Sequence, residues 1–131
     1  ENLRMILNFG HTFAHGFEGA KNFSKKISHG QAVLLGMMLA CQLACYKKIL
    51  PIKDLMLIKK HYFDLNLPIK ISKFFKKKDI NKIIYFMKKD KKNLDKKINL
   101  ILLKKIGKTI NPGSFSMNSA VLKKFLVRNY I

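Results

Sequence analysis

The stretch that decides the fold is residues 28–47, which read SHGQAVLLGMMLACQLACYK. Ser28 followed three residues later by Gln31 matches a capping box, so we predict a helix from about His29 to Lys47. Between Ala32 and Cys45 this helix is apolar on nearly all sides, which is typical of a helix buried at the centre of a domain.

A ridge of small residues follows one side of this helix at every fourth position: Ala32, Gly36, Ala40 and Ala44. Such a ridge allows another backbone to approach closely. The preceding segment, from Leu3 to about Asn22, also has helical apolar spacing and predicts a first helix despite Gly10 and Gly16. Each glycine disfavours a helix by about 1 kcal/mol, so close packing must compensate. We therefore expect the first helix to lie on the ridge.

The rest of the chain completes a mainly α-helical domain with a small β-hairpin. Further helices are predicted from Pro51 to the loop near Pro68, over Asp79–Lys89, and over Ala120–Arg128. Between the last two, the β-like run Ile98–Leu103 is followed by Gly107 as a turn and by Thr109–Ile110. This order predicts two strands joined as a hairpin.

Length and composition favour one folded domain over residues 1–131. Hydrophobic residues make up 48% and charged residues 26%, which excludes a disordered chain. Cys41 and Cys45 lie four apart in the buried helix and are expected to be reduced thiols. No secretory signal is present, and no apolar run reaches the roughly 20 residues that cross a bilayer. We expect a soluble cytoplasmic protein that does not bind membranes.

The charge balance leaves one alternative open. Lys and Arg number 27 against 7 Asp and Glu, a formal net charge of +20, yet Arg4 and Arg128 are the only arginines. Proteins that recognise phosphates and bases of nucleic acids favour arginine, whose planar guanidinium donates two parallel hydrogen bonds. Because nearly all the positive charge here is lysine, a solvated lysine-rich surface is the simpler interpretation. The alternative is a basic helical module that binds nucleic acid.

The candidate chemistry lies on one stripe of the predicted first helix, within about 80° of its circumference. Its members are Arg4, Asn8, His11, His15 and Glu18. The arginine and asparagine offer donors to phosphate or carboxylate, and the two histidines can bind a metal or exchange protons near neutral pH. Histidines simply hydrogen-bonded at a helix surface are the alternative. The zinc-protease motif is excluded, because Thr12 occupies the position of its glutamate.

His29 extends this candidate site to the second helix. A helix N-terminus disfavours a positive imidazolium, so His29 is expected to stay neutral and able to bind a metal. Packing along the small-residue ridge would bring it towards His11. A catalytic zinc takes three protein ligands, but Glu18 lies about two turns from His11 and the cysteines lie deep in their helix. An incomplete metal site is therefore predicted, and His61 is expected to be a surface residue.

Three segments carry a resemblance to a known family. Residues 4–18 read RMILNFGHTFAHGFE and residues 29–37 read HGQAVLLGM. They resemble the signature of 3-dehydroquinate synthase, RxxLNFGHTFGHAxE followed by HGEAVxxGM. In the same order, residues 87–107 resemble the family's DKK segment and the apolar strand that ends in Ile-Gly.

The resemblance implies an enzyme with an N-terminal NAD-binding α/β domain and a C-terminal, mainly helical, metal-binding domain. This chain resembles the second domain alone, and its start at Glu1 without Met agrees with a segment of a longer protein. The family converts 3-deoxy-D-arabino-heptulosonate 7-phosphate to 3-dehydroquinate and phosphate in the shikimate pathway, which leads to chorismate and the aromatic amino acids. It uses NAD and a divalent metal, usually zinc with cobalt as another option, and forms homodimers. The fragment alone is expected to be inactive.

The same resemblance implies roles for individual residues. His11 and His29 match two metal ligands, and the third, a glutamate, is expected upstream of Glu1. The positions that match substrate-binding residues are Arg4, Asn8, His15 and one or both of Lys91 and Lys92, and His15 also matches a catalytic position. No glycine-rich dinucleotide fingerprint follows a strand, so no residue here is expected to bind NAD.

The chain departs from the family pattern at Ala14, Gly16 and Gln31, where glycine, alanine and glutamate are usual. The first two keep the side chains small, and Gln31 still completes the capping box. Two related readings stay open beside the synthase: another sugar-phosphate cyclase such as 2-deoxy-scyllo-inosose synthase, and a degenerate fragment with a structural role only.

Overall fold

A computed structural model describes residues 9–22, 24–89, 97–111 and 114–130. The fold is mainly helical, as predicted. The helices are α1 His11–Ala20, α2 His29–Tyr46, α3 Ile52–Asp64, α4 Ile80–Lys89 and α5 Ser119–Arg128. Short 3-10 turns cover Ile71–Lys73 and Lys77–Asp79, and the strands are β1 Lys97–Asn99, β2 Leu103–Lys105, β3 Lys108–Thr109 and β4 Ser116–Asn118.

Helix α2 forms the centre of the molecule and begins where its capping box predicts. The Ser28 hydroxyl accepts a hydrogen bond from the Gln31 backbone N–H at 3.0 Å. The Gln31 side-chain oxygen accepts one from the Ser28 backbone N–H at 3.0 Å. Nine of its residues are buried: Ala32, Leu35, Gly36, Met38, Leu39, Ala40, Cys41, Leu43 and Ala44. Two helices, α1 and α3, pack against it.

The small-residue ridge of α2 receives α1, which confirms the expected close approach. A β-carbon on Gly36 would collide with the Gly10 carbonyl oxygen and lie 3.1 Å from the Phe13 β-carbon. On the opposite side of the contact, a β-carbon on Gly10 would lie 2.8 Å from the Met37 backbone nitrogen. Glycine at both positions therefore allows the two backbones to meet.

The predicted continuous helix from Leu3 to Asn22 is wrong at Gly10. This residue has a φ of 83° in the left-handed region, and α1 begins immediately after it. A left-handed residue reverses the sense of the backbone, so a right-handed helix cannot pass through it. Helix α1 ends at Ala20. Residues 3–8 lie outside the described residues.

Helix α4 packs against the other side of α1 through two more glycines. A β-carbon on Gly16 would lie 2.5 Å from the Met87 γ-carbon, and one on Gly19 would collide with the Phe86 ring. The predicted start at Asp79 is the last residue of a 3-10 turn, and the α-helix proper begins at Ile80. Helix α1 is therefore held between α2 and α4.

The β structure of the described residues consists of two antiparallel ribbons rather than one. Strands β2 and β3 form the predicted hairpin, with Gly107 in the turn at a φ of 85°. Strand β1 pairs instead with β4, which places Ile98 opposite Met117. Both of these side chains are buried while their neighbours along each strand are exposed, so the ribbon uses one face to cover the core.

The described charged side chains lie mostly at the surface, whereas the thiol of Cys41 lies in the interior. Most of the described lysines are exposed, and so is His61, as expected. Cys41 is buried and Cys45 is half-buried, and both are free thiols. Among the described residues, no helix combines the length and the apolar character needed to cross a membrane.

Candidate metal and substrate site

Two imidazoles converge where α1 and α2 begin. His11 is the first residue of α1 and His29 is the first residue of α2. Their ring centroids lie 5.9 Å apart with an angle of 60° between the ring planes. The turn at Gly10 and the cap at Ser28 set these two starting points, so local sequence signals position both rings.

His29 also contacts a carboxylate on α1. Its Nδ1 lies 3.0 Å from the Glu18 Oε2. The His29 side chain is 66% exposed, whereas the Glu18 side chain is only 25% exposed. The carboxylate is thus the less exposed of the two groups, and it contacts an imidazole that is largely open to solvent.

The donor atoms of the site fit a divalent cation. His11 is half-buried, and its Nδ1 is a buried polar atom without a hydrogen-bond partner in the described part of the chain. Buried polar atoms are normally satisfied, so such an atom beside a second imidazole marks a place for a ligand. Neutral imidazole nitrogen is a common ligand for zinc and other divalent transition metals.

A surface cavity of about 330 Å³ adjoins the Glu18–His29 pair. The lining residues are Glu18, Ser24, Lys25, Ile27, Ser28 and His29. Both members of the carboxylate–imidazole pair therefore line an opening in the surface. A small ion or a polar ligand has a path to the His29 ring.

The described ranges do not contain a complete set of protein ligands. Within them, no cluster of three or more His, Cys, Asp or Glu residues is placed to hold a metal ion. Cys41 lies far down α2 from the two imidazoles, and burial raises the pKa of its thiol to about 12. The candidate donors that this portion of the fold brings together are the two imidazoles of His11 and His29.

The remaining predicted site residues divide into two groups. His15 lies one turn after His11 on α1 and is half-buried, so it is on the same helix as the candidate ligand. Four predicted substrate-binding residues lie outside the described residues: Arg4, Asn8, Lys91 and Lys92.

Glu18 is the site residue whose contact was missed by sequence analysis. The sequence shows its place on the polar stripe but gives only its distance along the first helix from His11. Its partner is across the helix–helix interface, on α2. A signal that could have pointed to it is the scarcity of carboxylates, since Asp and Glu together number 7 in the chain.

Comparison with known proteins gives a consistent result. Residues 1–93 match the family model described as 3-dehydroquinate synthase C-terminal. The 3-dehydroquinate synthase of Pelagibacter ubique is 50% identical over 124 residues, which cover 95% of this chain and 33% of that protein. The Dictyoglomus thermophilum 3-dehydroquinate synthase is 43% identical over 113 residues, covering 82% of this chain and 28% of that protein. The chain thus spans about a third of the length of these curated relatives.

Solved structures show the same fold. A 2-deoxy-scyllo-inosose synthase complexed with carbaglucose-6-phosphate, NAD+ and Co2+ superposes with a TM-score of 0.68 at 25% identity, covering 93% of this chain and 33% of that one. A second structure of a 2-deoxy-scyllo-inosose synthase gives a TM-score of 0.66 at 22% identity, with 93% and 31% coverage.

Proposed function

Since the chain belongs to the 3-dehydroquinate synthase family, whose C-terminal model it matches over residues 1–93, we propose that it is the metal- and substrate-binding C-terminal part of a longer 3-dehydroquinate synthase. The observation that carries the proposal is the convergence of His11 and His29, with 5.9 Å between ring centroids. These are the two positions that the family motif assigns to metal ligands. The third ligand would come from outside the described residues.

The proposed reaction converts 3-deoxy-D-arabino-heptulosonate 7-phosphate to 3-dehydroquinate and phosphate, as a phosphate lyase of the shikimate pathway. A divalent cation, zinc or cobalt, bound at His11 and His29 would polarise the substrate hydroxyl that is oxidised. The chain's own polar groups then have to hold an anionic substrate and neutralise its leaving phosphate.

Four residues are proposed for that task from their motif positions: Arg4, Asn8, Lys91 and Lys92. Guanidinium, ammonium and amide groups donate hydrogen bonds to phosphate oxygens, and the cations offset charge as the phosphate leaves. His15 on α1 is proposed to contact the substrate and to exchange a proton with it, since imidazole gains and loses protons near neutral pH.

NAD is proposed to bind mainly to a nucleotide-binding domain that precedes this segment. The chain has no glycine-rich fingerprint after a strand. The solved cyclase of similar fold was crystallised with NAD+ and Co2+, which supports a cofactor pair of this kind. The complete protein would be a cytoplasmic homodimer that acts on a small phosphorylated sugar acid and not on nucleic acid or membranes.

The proposal is tested in the full-length protein that carries this segment. Replacing His11 or His29 by alanine should remove Co2+ binding and reduce turnover by more than the roughly 10–100-fold expected for a residue that only supports a ligand. His61→Ala is the matched control, because this histidine is exposed on α3. Circular dichroism should show all variants to be folded. A double His11→Ala, His29→Ala variant that forms dehydroquinate at the wild-type rate would overturn the site assignment.

A second candidate, 2-deoxy-scyllo-inosose synthase, is favoured by the similarity to solved structures of that enzyme. The same full-length protein distinguishes the two. It should release phosphate from the heptulosonate phosphate but not from glucose 6-phosphate, of which carbaglucose-6-phosphate is the ring-carbon analogue. Formation of 2-deoxy-scyllo-inosose in that assay would replace the first proposal by the second.

A further inference from the structure

The contact between Glu18 and His29 determines which nitrogen of the imidazole is free. The Glu18 Oε2 lies 3.0 Å from Nδ1 of His29. An ionised carboxylate accepts hydrogen bonds and donates none, so the proton of a neutral His29 ring must be on Nδ1. The lone pair is then on Nε2, which is the nitrogen left to bind an ion.

We propose that Glu18 is a positioning residue: it fixes the tautomer and orientation of His29 so that Nε2 is presented to a divalent cation. The inference rests on the proposed function, because it assumes that His29 is a metal ligand. It adds a role for a residue outside the ligand and substrate sets assigned above. Carboxylates that hydrogen-bond a metal-bound imidazole are known to orient the ring and raise its basicity.

The exposed fractions of the two side chains indicate which of them orients the other. The His29 side chain is 66% exposed and belongs to the first residue of α2. Glu18 is 25% exposed and lies inside α1, which is held between α2 and α4. The carboxylate is therefore the fixed partner and the imidazole is the group that would otherwise rotate.

The spacing along α1 separates Glu18 from the ion that His11 would bind. The two residues are seven positions apart, which corresponds to a rise of about 10.5 Å. The His29 imidazole bridges this distance, because it lies 5.9 Å from the His11 ring and within hydrogen-bond distance of Glu18. This arrangement favours a carboxylate behind the imidazole over a carboxylate that is itself a ligand.

The experiment compares two substitutions in the full-length protein, with Co2+ as the probe. Glu18→Leu removes the acceptor, and Glu18→Gln keeps a neutral acceptor. The leucine variant should bind Co2+ about 10–100-fold more weakly, and the glutamine variant should fall between it and wild type. Asp64→Asn is the control, because it removes a carboxylate that pairs with Lys60 on α3 at 2.9 Å. Its Co2+ affinity should match wild type.

Two spectroscopic measurements separate positioning from direct ligation and from a purely structural role. In metal-free protein, long-range proton–nitrogen NMR should show His29 protonated at Nδ1 in wild type and Glu18→Gln, and a mixture of tautomers in Glu18→Leu. In Co2+-loaded protein, the visible absorption bands of Glu18→Gln should keep the wild-type positions. A shift of those bands would make Glu18 a ligand and overturn the inference, as would an unchanged tautomer and affinity in Glu18→Leu.

Failure of the inference and failure of the proposed function give different results. If wild type and both Glu18 variants bind Co2+ equally and form dehydroquinate, only the role of Glu18 is wrong. If the wild-type protein binds no Co2+ at His11 and His29, the proposed metal site is wrong and the role of Glu18 is lost with it.

Discussion

The carbonyl oxygen of Gly10 occupies the space that a β-carbon on Gly36 would need. This contact joins the turn before α1 to the middle of α2, and His11 follows Gly10 directly. The distance between the two candidate metal ligands therefore depends on a glycine in α2 that carries no chemistry. Any side chain at position 36 must move α1 or distort the turn.

We predict that Gly36→Ala destabilises the protein, although alanine is the better helix former. In an exposed helix this change would gain about 1 kcal/mol, but overpacking against a backbone oxygen costs about 1–3 kcal/mol. Urea unfolding measures the loss, and Co2+ affinity should fall because His11 moves with Gly10. Gly30→Ala is the control: among the described residues, nothing beyond its chain neighbours and the nearby backbone of α2 lies within 4 Å of a β-carbon there, so it should gain about 0.4–1 kcal/mol. Equal effects of the two substitutions would contradict the packing argument.

Gln31→Glu, which restores the family residue, should stabilise α2. The side chain already accepts a hydrogen bond from the Ser28 backbone N–H at 3.0 Å, and a carboxylate there would also interact with the helix N-terminus. The expected gain is about 0.3–1 kcal/mol at low salt. It should shrink in about 1 M NaCl, where the screening length is roughly 3 Å. Gln42→Glu makes the same change in the middle of α2 and should show no gain, and a gain there of equal size would refute the cap explanation.

The buried thiol and phenol predict a loss of stability at alkaline pH. Burial raises the pKa of Cys41 to about 12, from an ordinary value of 9.0. Burial also raises the pKa of Tyr62, with a smaller contribution from the charge of Cys41. The unfolded chain releases these protons at lower pH than the folded one, so the free energy of unfolding falls as pH rises above about 9.

The thiol of Cys41 and the phenol of Tyr62 can each lower the free energy of unfolding by up to about 1.4 kcal/mol per pH unit in that range. Cys41→Ala should flatten the decline measured by urea unfolding at pH values above 9, while leaving the shape of the curve between about pH 6 and 8 unchanged. Tyr62→Phe should also flatten it, and in addition it removes a hydrogen bond of 2.6 Å to the Leu34 carbonyl. Parallel curves for wild type and Cys41→Ala above pH 9 would show that burial of the thiol is not the cause.

Local signals made the start of α2 predictable. Ser28 and Gln31 form a capping box. Its two hydrogen bonds join residues only three positions apart, so they form wherever a helix begins at Ser28 and do not depend on distant parts of the chain. The small-residue ridge through Gly36 predicts close packing with α1, because small side chains allow the backbone of a neighbouring helix to approach. These two signals together predict from the sequence alone that His29 lies near His11.

Features that depend on distant parts of the chain were not predictable in the same way. The apolar spacing continues across Gly10, and a helical glycine costs only about 1 kcal/mol, so nothing in the sequence required its left-handed conformation. The pairing of Ile98 with Met117 spans the intervening hairpin, whose own turn is the stronger local signal. The contact of Glu18 with His29 required both helices to be placed first.

Gly16 departs from the family pattern at a tightly packed position of α1. The usual alanine at this position would place its β-carbon 2.9 Å from the Ile83 carbonyl oxygen here. The chain instead carries alanine at position 14, where glycine is usual, and this residue is 1% exposed. The glycine at position 16 therefore fits the close approach of α4 to α1 in this chain.

The lysine-rich surface has a consequence for kinetics. A net charge of +20 produces a long-range field that accelerates the encounter of anions with this molecule and slows that of metal cations. Added salt screens the field, so the association rate of anions should fall and that of metal cations should rise as ionic strength increases. Loading of a cation between His11 and His29 would then be fastest in the same buffers in which a phosphorylated compound arrives most slowly.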